Sequence, residues 1–122
     1  MRFMLLVHVD PRKFEGITEA EQKALDVQNL AEDKALIESG QLIAAGPLAD
    51  PETATIIRSS DGEISMTDGP YIETKEHLGG FVLVEVKDRA EALELAKTSA
   101  MARYGSIEVR QHWSLEEWLE RQ

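Results

Sequence analysis

Three ionisable side chains sit where extended chain would aim them for chemistry: His8 near the start of the sequence, Glu108 and Arg110 near its end. An imidazole is the side chain best suited to proton transfer near neutral pH. Residues at i and i+2 share one face of a strand, so Glu108 and Arg110 would project together. His8 is therefore the candidate acid/base, Glu108 its orienting carboxylate, and Arg110 an anchor for an anionic or carbonyl-bearing ligand. The same residues also suit a structural role, His8 as a hydrogen-bonded core or interface residue and the other two as an interface ion pair. His112, close to a strand end, is expected to be solvated.

A second polar set lies in the stretch TDGPYIETKEHLGGF, residues 67–81. Asp68 can accept hydrogen bonds from the turn it starts. Glu73 and Lys75 form either a solvated pair of little energetic value or part of a ligand wall, with Glu73 turned toward Arg110. Glu73, Glu76 and His77 have a poor spacing for a metal, and none is expected. The Gly79-Gly80 pair lacks the G-x-G-x-x-G context of a nucleotide site, and no cofactor is expected.

The elements that must carry these groups follow from periodicity. Residues 2–9 are nearly all apolar and read as a strand, ended by Asp10-Pro11. Thr18 and Glu21 form a capping box for a helix over about 19–39, in which Ala20, Ala24, Val27, Ala31 and Ala35 recur at helical spacing beside Leu30 and Ile37, with Gly40 as its stop. A short strand over 42–45 precedes Gly46-Pro47. Strands over 53–58 and 63–67 flank an Asp61-Gly62 hairpin turn. A strand over 81–86, a helix over 89–101 capped by Asp88, a strand over 106–112 and a C-terminal helical turn after Ser114 complete the chain. Trp113 and Trp118 suit a core edge or an interface between copies.

With the hairpin set aside, the order is strand, helix, strand, strand, helix, strand. That order predicts a ferredoxin-like α+β fold, an antiparallel sheet with two helices on one face. The lines Phe3/Leu5/Val7/Val9, Val82/Val84/Val86 and Ile107/Val109 are apolar and should lie beneath the helices. The opposite lines mix apolar and ionisable residues: Met4/Leu6/His8, Phe81/Leu83/Glu85 and Glu108/Arg110/His112. A mixed face of this kind suggests a second sheet stacked across it, as in a homodimer, with a polar cavity between.

Thirteen basic against twenty-three acidic residues in 122 give a net charge of −10, which argues against nucleic acid and anionic membrane surfaces as partners. The apolar N-terminal run is too short to span a bilayer and shows no cleavage pattern. There is no cysteine, hence no disulfide or thiolate site. A single domain over 1–122, located in the cytoplasm, is the expectation.

Asp68-Gly69-Pro70-Tyr71-Ile72-Glu73-Thr74-Lys75-Glu76-His77-Leu78-Gly79-Gly80-Phe81 resembles the signature of the YCII-related, or DGPF-domain, proteins, with Tyr71 in place of the name-giving Phe. Met4-Leu5-Leu6, Gly46-Pro47-Leu48 and Val109-Arg110 fit as well. The resemblance implies a fold of the dimeric α/β-barrel type and a bacterial homodimer. The residues themselves suggest a ligand pocket between sheet, loop and partner, walled by Asp68, Tyr71, Glu73, Lys75 and Arg110. Isomerase- or lyase-like chemistry on a small organic acid or ketone is one functional expectation. A non-catalytic regulatory module, linked to a sigma factor, is the other. In the enzyme-like branch of the family, a His on the first helix and an Asp after the second are taken as the catalytic pair. Registered on residues 40–48, the His position is held here by Asn29 and the Asp position falls near Ser99, and neither Asn nor Ser transfers protons at neutral pH.

Overall fold

The computed structural model describes residues 1–69 and 75–122. Its chain order is β1 (Arg2–Val9), α1 (Glu19–Glu38), β2 (Leu42–Pro47), β3 (Thr55–Ser60), β4 (Glu63–Asp68), β5 (His77–Glu85), α2 (Arg89–Lys97), β6 (Gly105–His112) and α3 (Leu115–Glu120), with short 3-10 turns after β1, β2 and α2. β2, β5, β1 and β6 form one sheet in that spatial order, and all three pairings are antiparallel. This is the ferredoxin-like arrangement of the dimeric α/β-barrel type. β3 and β4 make a separate two-stranded ribbon. Its turn residues Asp61 and Gly62 have φ of 52° and 81°, as a two-residue hairpin turn of the primed type requires.

The strand faces follow the period-two reading. Phe3, Val84, Val86 and Ala92 are buried together, with Val82, Val109, Leu36 and Leu95 packed on them, so the purely apolar lines do lie beneath the helices. Both long helices start at side-chain caps: Thr18 and Glu21 close a reciprocal box on α1, and the Asp88 carboxylate accepts from the Glu91 backbone N–H on α2.

The predicted helix over 89–101 ends at Lys97, with a separate 3-10 turn over Ala100–Arg103, and two further readings need correction. The predicted strand over 81–86 begins earlier, at His77, so Gly79 and Gly80 belong to a strand and not to the end of a loop. The second correction concerns α1. Its apolar stripe points away from the sheet: Val27, Leu30 and Ile37 are 60%, 70% and 63% exposed. The face turned inward carries Gln22, Leu25, Asn29, Glu32 and Leu36, of which only Leu25 is fully buried. A helix fixed by hydrophobic burial alone would have rotated the other way.

Candidate functional site

His8, Glu108 and Arg110 come together on the sheet face opposite α1 and α2. In the β1–β6 register His8 lies opposite Ser106, Leu6 opposite Glu108 and Met4 opposite Arg110, so the three side chains share a face. His8 Nε2 is 2.9 Å from Glu108 Oε1, and Arg110 Nε stands 3.9 Å from Glu108 Oε2. The side chains of His8, Glu108 and Arg110 are 29%, 46% and 71% exposed, an open cluster and not an enclosed one. Ser106, beside His8, donates its hydroxyl to Glu76 Oε1 at 2.7 Å.

The other expected site residues are scattered. Asp68 ends β4 and accepts from Thr55 Oγ1 at 3.3 Å across the ribbon, and the turn it was expected to start runs outside the described residues. Lys75 is exposed; Tyr71 and Glu73 lie outside the described residues. His112 is half-buried, and its Nδ1 is shut off from water with no hydrogen-bond partner among the described residues, contrary to a solvated strand end. Trp113 and Trp118 stack on each other at 5.5 Å, with the Arg121 guanidinium 4.0 Å above the Trp113 ring.

A hollow lies on the opposite side of the sheet, beneath α1, and none of His8, Glu108, Arg110, Asp68 or Lys75 lines it. It has a volume of about 390 Å³, within the range of small-molecule pockets. Its floor is apolar sheet, chiefly Val7, Val9 and Val82, and its polar wall is Asn29, Glu32 and Asp33 from α1 with Ser99 after α2. A second hollow of about 230 Å³ shares Glu32, Asp33, Val82 and Ser99 with it and continues toward Leu36 and Leu95.

The wall is held by few contacts. Both Glu32 oxygens accept from the Ala100 backbone N–H, at 3.3 and 3.1 Å, tying α1 to the 3-10 turn behind Ser99. The Asn29 amide donates to Met101 Sδ at 3.6 Å, a weak acceptor that a ligand oxygen can replace. Asp33 has no hydrogen-bond or ion-pair partner among the described residues, and the Ser99 side chain caps nothing. Beneath them, the two signature glycines keep the floor flat. A Cβ on Gly79 would come 2.6 Å from Val9 Cγ2, and one on Gly80 2.9 Å from the Gly46 carbonyl oxygen. Gly79 sits at the β1–β5 bulge against Val9, and Gly80 is required by the close approach of the β2 backbone.

Sequence reasoning named Asn29 and Ser99 only as departures from a proton-transfer pair; the fold brings these two positions to one cavity wall. Glu32 and Asp33 were not anticipated. The available signal was Asn29 and Glu32 interrupting the line that Leu25 and Leu36 make along one side of the helix.

A four-stranded antiparallel sheet with helices on one face and a cleft beneath the first helix defines a ferredoxin-like α+β protein. The chain belongs to the YCII-related domain family, whose model matches residues 1–116. It is 35% identical over 102 residues, 79% of this chain and 82% of the relative, to an uncharacterised protein of Rhizobium meliloti (strain 1021). Among solved structures it resembles 5-chloro-2-hydroxyhydroquinone dehydrochlorinase from Burkholderia phenoliruptrix AC1100 in complex with 2,5-dihydroxybenzoquinone. The TM-score is 0.57 at 14% identity, covering 93% of this chain and 94% of that one. Among the described residues no helix is long and apolar enough to cross a membrane, and no group of three or more His, Cys, Asp or Glu has the arrangement of a metal site.

Proposed function

We propose that this protein binds a small organic molecule in the cleft beneath α1, as a binding module without the proton-transfer pair of the family's enzyme-like branch. The observation that carries the reading is the inverted packing of α1. The helix leaves Val27, Leu30 and Ile37 in water and turns Asn29 and Glu32 onto an apolar sheet. Such packing forgoes hydrophobic stabilisation of about 1.5–3 kcal/mol per large side chain, and a violated local rule of that kind is expected at functional sites. Asn29 and Ser99 can donate and accept hydrogen bonds, but neither can act as a general base. The structural neighbour is in complex with a ring-sized ligand, a size compatible with about 390 Å³. At 14% identity that likeness carries the fold and not the substrate.

A metabolite panel screened by thermal shift tests this reading, because a ligand selective for the native state raises its stability. Hits should lose their shift in Ser99→Phe, which fills the cleft from a position whose side chain makes no cap. Hits that survive that substitution unchanged would move the site elsewhere.

A second reading rests on the 2.9 Å His8–Glu108 contact, an imidazole oriented by a carboxylate with Arg110 at the carboxylate's far oxygen. A second copy of the chain stacked on this sheet face would enclose the cluster and supply the excluded-water environment that acid/base chemistry needs. In that case turnover of an organic acid or ketone is lost in His8→Gln and retained in Ser99→Phe.

A further inference from the structure

Resting on the cleft reading above, we propose that the ligand is a small organic cation, an ammonium on a short apolar body, with the charged group held by Glu32 and Asp33 and the body laid on Val7, Val9 and Val82. The cleft wall carries two carboxylates, one amide and one hydroxyl, and no Lys, Arg or His stands among the described lining residues of either hollow. Nothing there can neutralise the anionic ligand that an Arg110 anchor on the other sheet face was expected to hold.

The two carboxylates differ in their commitments. Glu32 uses both oxygens on the Ala100 N–H, but an ionised carboxylate has about four acceptor sites, so a donor can still be added. Asp33, one residue along α1, has no partner among the described residues and borders both hollows. An ammonium between them would have three donors for these oxygens and the Asn29 carbonyl. The chain's net charge of −10 adds a field of the same preference, drawing cations to the cleft and repelling anions. A purely polar cation would leave the valine floor uncovered, so the body must be apolar.

Three near-isosteric probes separate the possibilities: 2-phenylethylamine, 2-phenylethanol and phenylacetate, titrated into the ¹⁵N-labelled full chain at low ionic strength. The amine should perturb the amides of Val7, Asn29 and Ser99 and bind about tenfold more tightly than the alcohol, the scale of one or two partly screened charge contacts. Phenylacetate should give no saturable shift. Asp33→Asn, chosen because Asp33 holds no structural contact that Glu32 does, should lower the amine-to-alcohol ratio about threefold or more, and adding salt to wild type should act in the same direction. Alcohol or phenylacetate binding in the cleft as tightly as the amine overturns the cation proposal and leaves the cleft reading standing. An unchanged ratio in Asp33→Asn also overturns it. If none of the three perturbs cleft amides, the cleft reading falls and the proposal with it.

Discussion

At 4% exposure Asp10 is the charged side chain most withdrawn from water among the described residues, and its ionisation depends on one neighbour. Arg12 donates Nε and its backbone N–H to Oδ1, both at 3.1 Å, and Nη2 to Oδ2 at 2.9 Å. The side-chain hydrogen bonds from Arg12 are the main cause that lowers the carboxyl from 3.8 to about 2, against the opposing effect of burial. A carboxyl depressed on folding contributes stability that is complete above its unfolded pKa and lost as pH falls through the folded one. The urea-midpoint difference between wild type and Asp10→Asn should thus be constant above about pH 5 and shrink as pH falls from 3.8 toward 2. A difference that stays flat across that interval would show that the ion pair adds nothing. Gly80 makes a steric prediction at the same scale. Its missing Cβ would lie 2.9 Å from backbone, which cannot swing aside as a side chain can. Gly80→Ala should cost about 1–3 kcal/mol by splaying β2 from β5, measurable as a fall in urea midpoint.

Among elements, α1 separates what the sequence makes legible from what it does not. The strand faces could be read because alternation admits only two registers, and Phe3, Leu5, Val84 and Val86 are uniformly apolar. The hairpin and the caps are local signals that act within four residues. Helix α1 offered two candidate faces: an Ala/Val stripe, and a line of Leu25 and Leu36 interrupted by Asn29 and Glu32. Periodicity favoured the stripe, but the structure uses the interrupted line. The cleft could not be foreseen at all, since Val7, Asn29, Val82 and Ser99 meet only through the topology. This orientation predicts opposite outcomes for two leucines five residues apart. Leu25→Ala should cost about 2–5 kcal/mol, whereas Leu30→Gln should fall within about 0.5 kcal/mol of wild type. Equal losses in chemical denaturation would return the stripe to the core.

For the whole molecule, α1 and α2 lie on one side of the sheet, and its other side is partly oily. Met4, Leu6, Phe81 and Leu83 are half-buried there around the His8–Glu108 pair, with Leu78 41% exposed beside His8. A mixed face of this type is expected to meet a second copy, two sheets stacking about 10 Å apart. Opposing that association, each copy carries a net charge of −10, so a dimer would have to form against its own repulsion. Salt distinguishes this balance from a purely polar contact. Raising ionic strength from about 0.05 to 0.5 M shortens the screening length severalfold and should tighten the dimer, whereas an interface held by ion pairs would loosen. Light scattering at micromolar concentration should therefore report twice the 13.6 kDa chain mass, with the dimer fraction rising with salt. Leu83→Asp, on the open sheet face, should give the 13.6 kDa monomer at every salt concentration. Leu30→Asp, on the outer side of α1, should leave the dimer intact. Reversed behaviour of those two variants would place the contact on the helix stripe, and a wild-type monomer throughout would remove the stacked-sheet enclosure on which the acid/base reading of His8 depends.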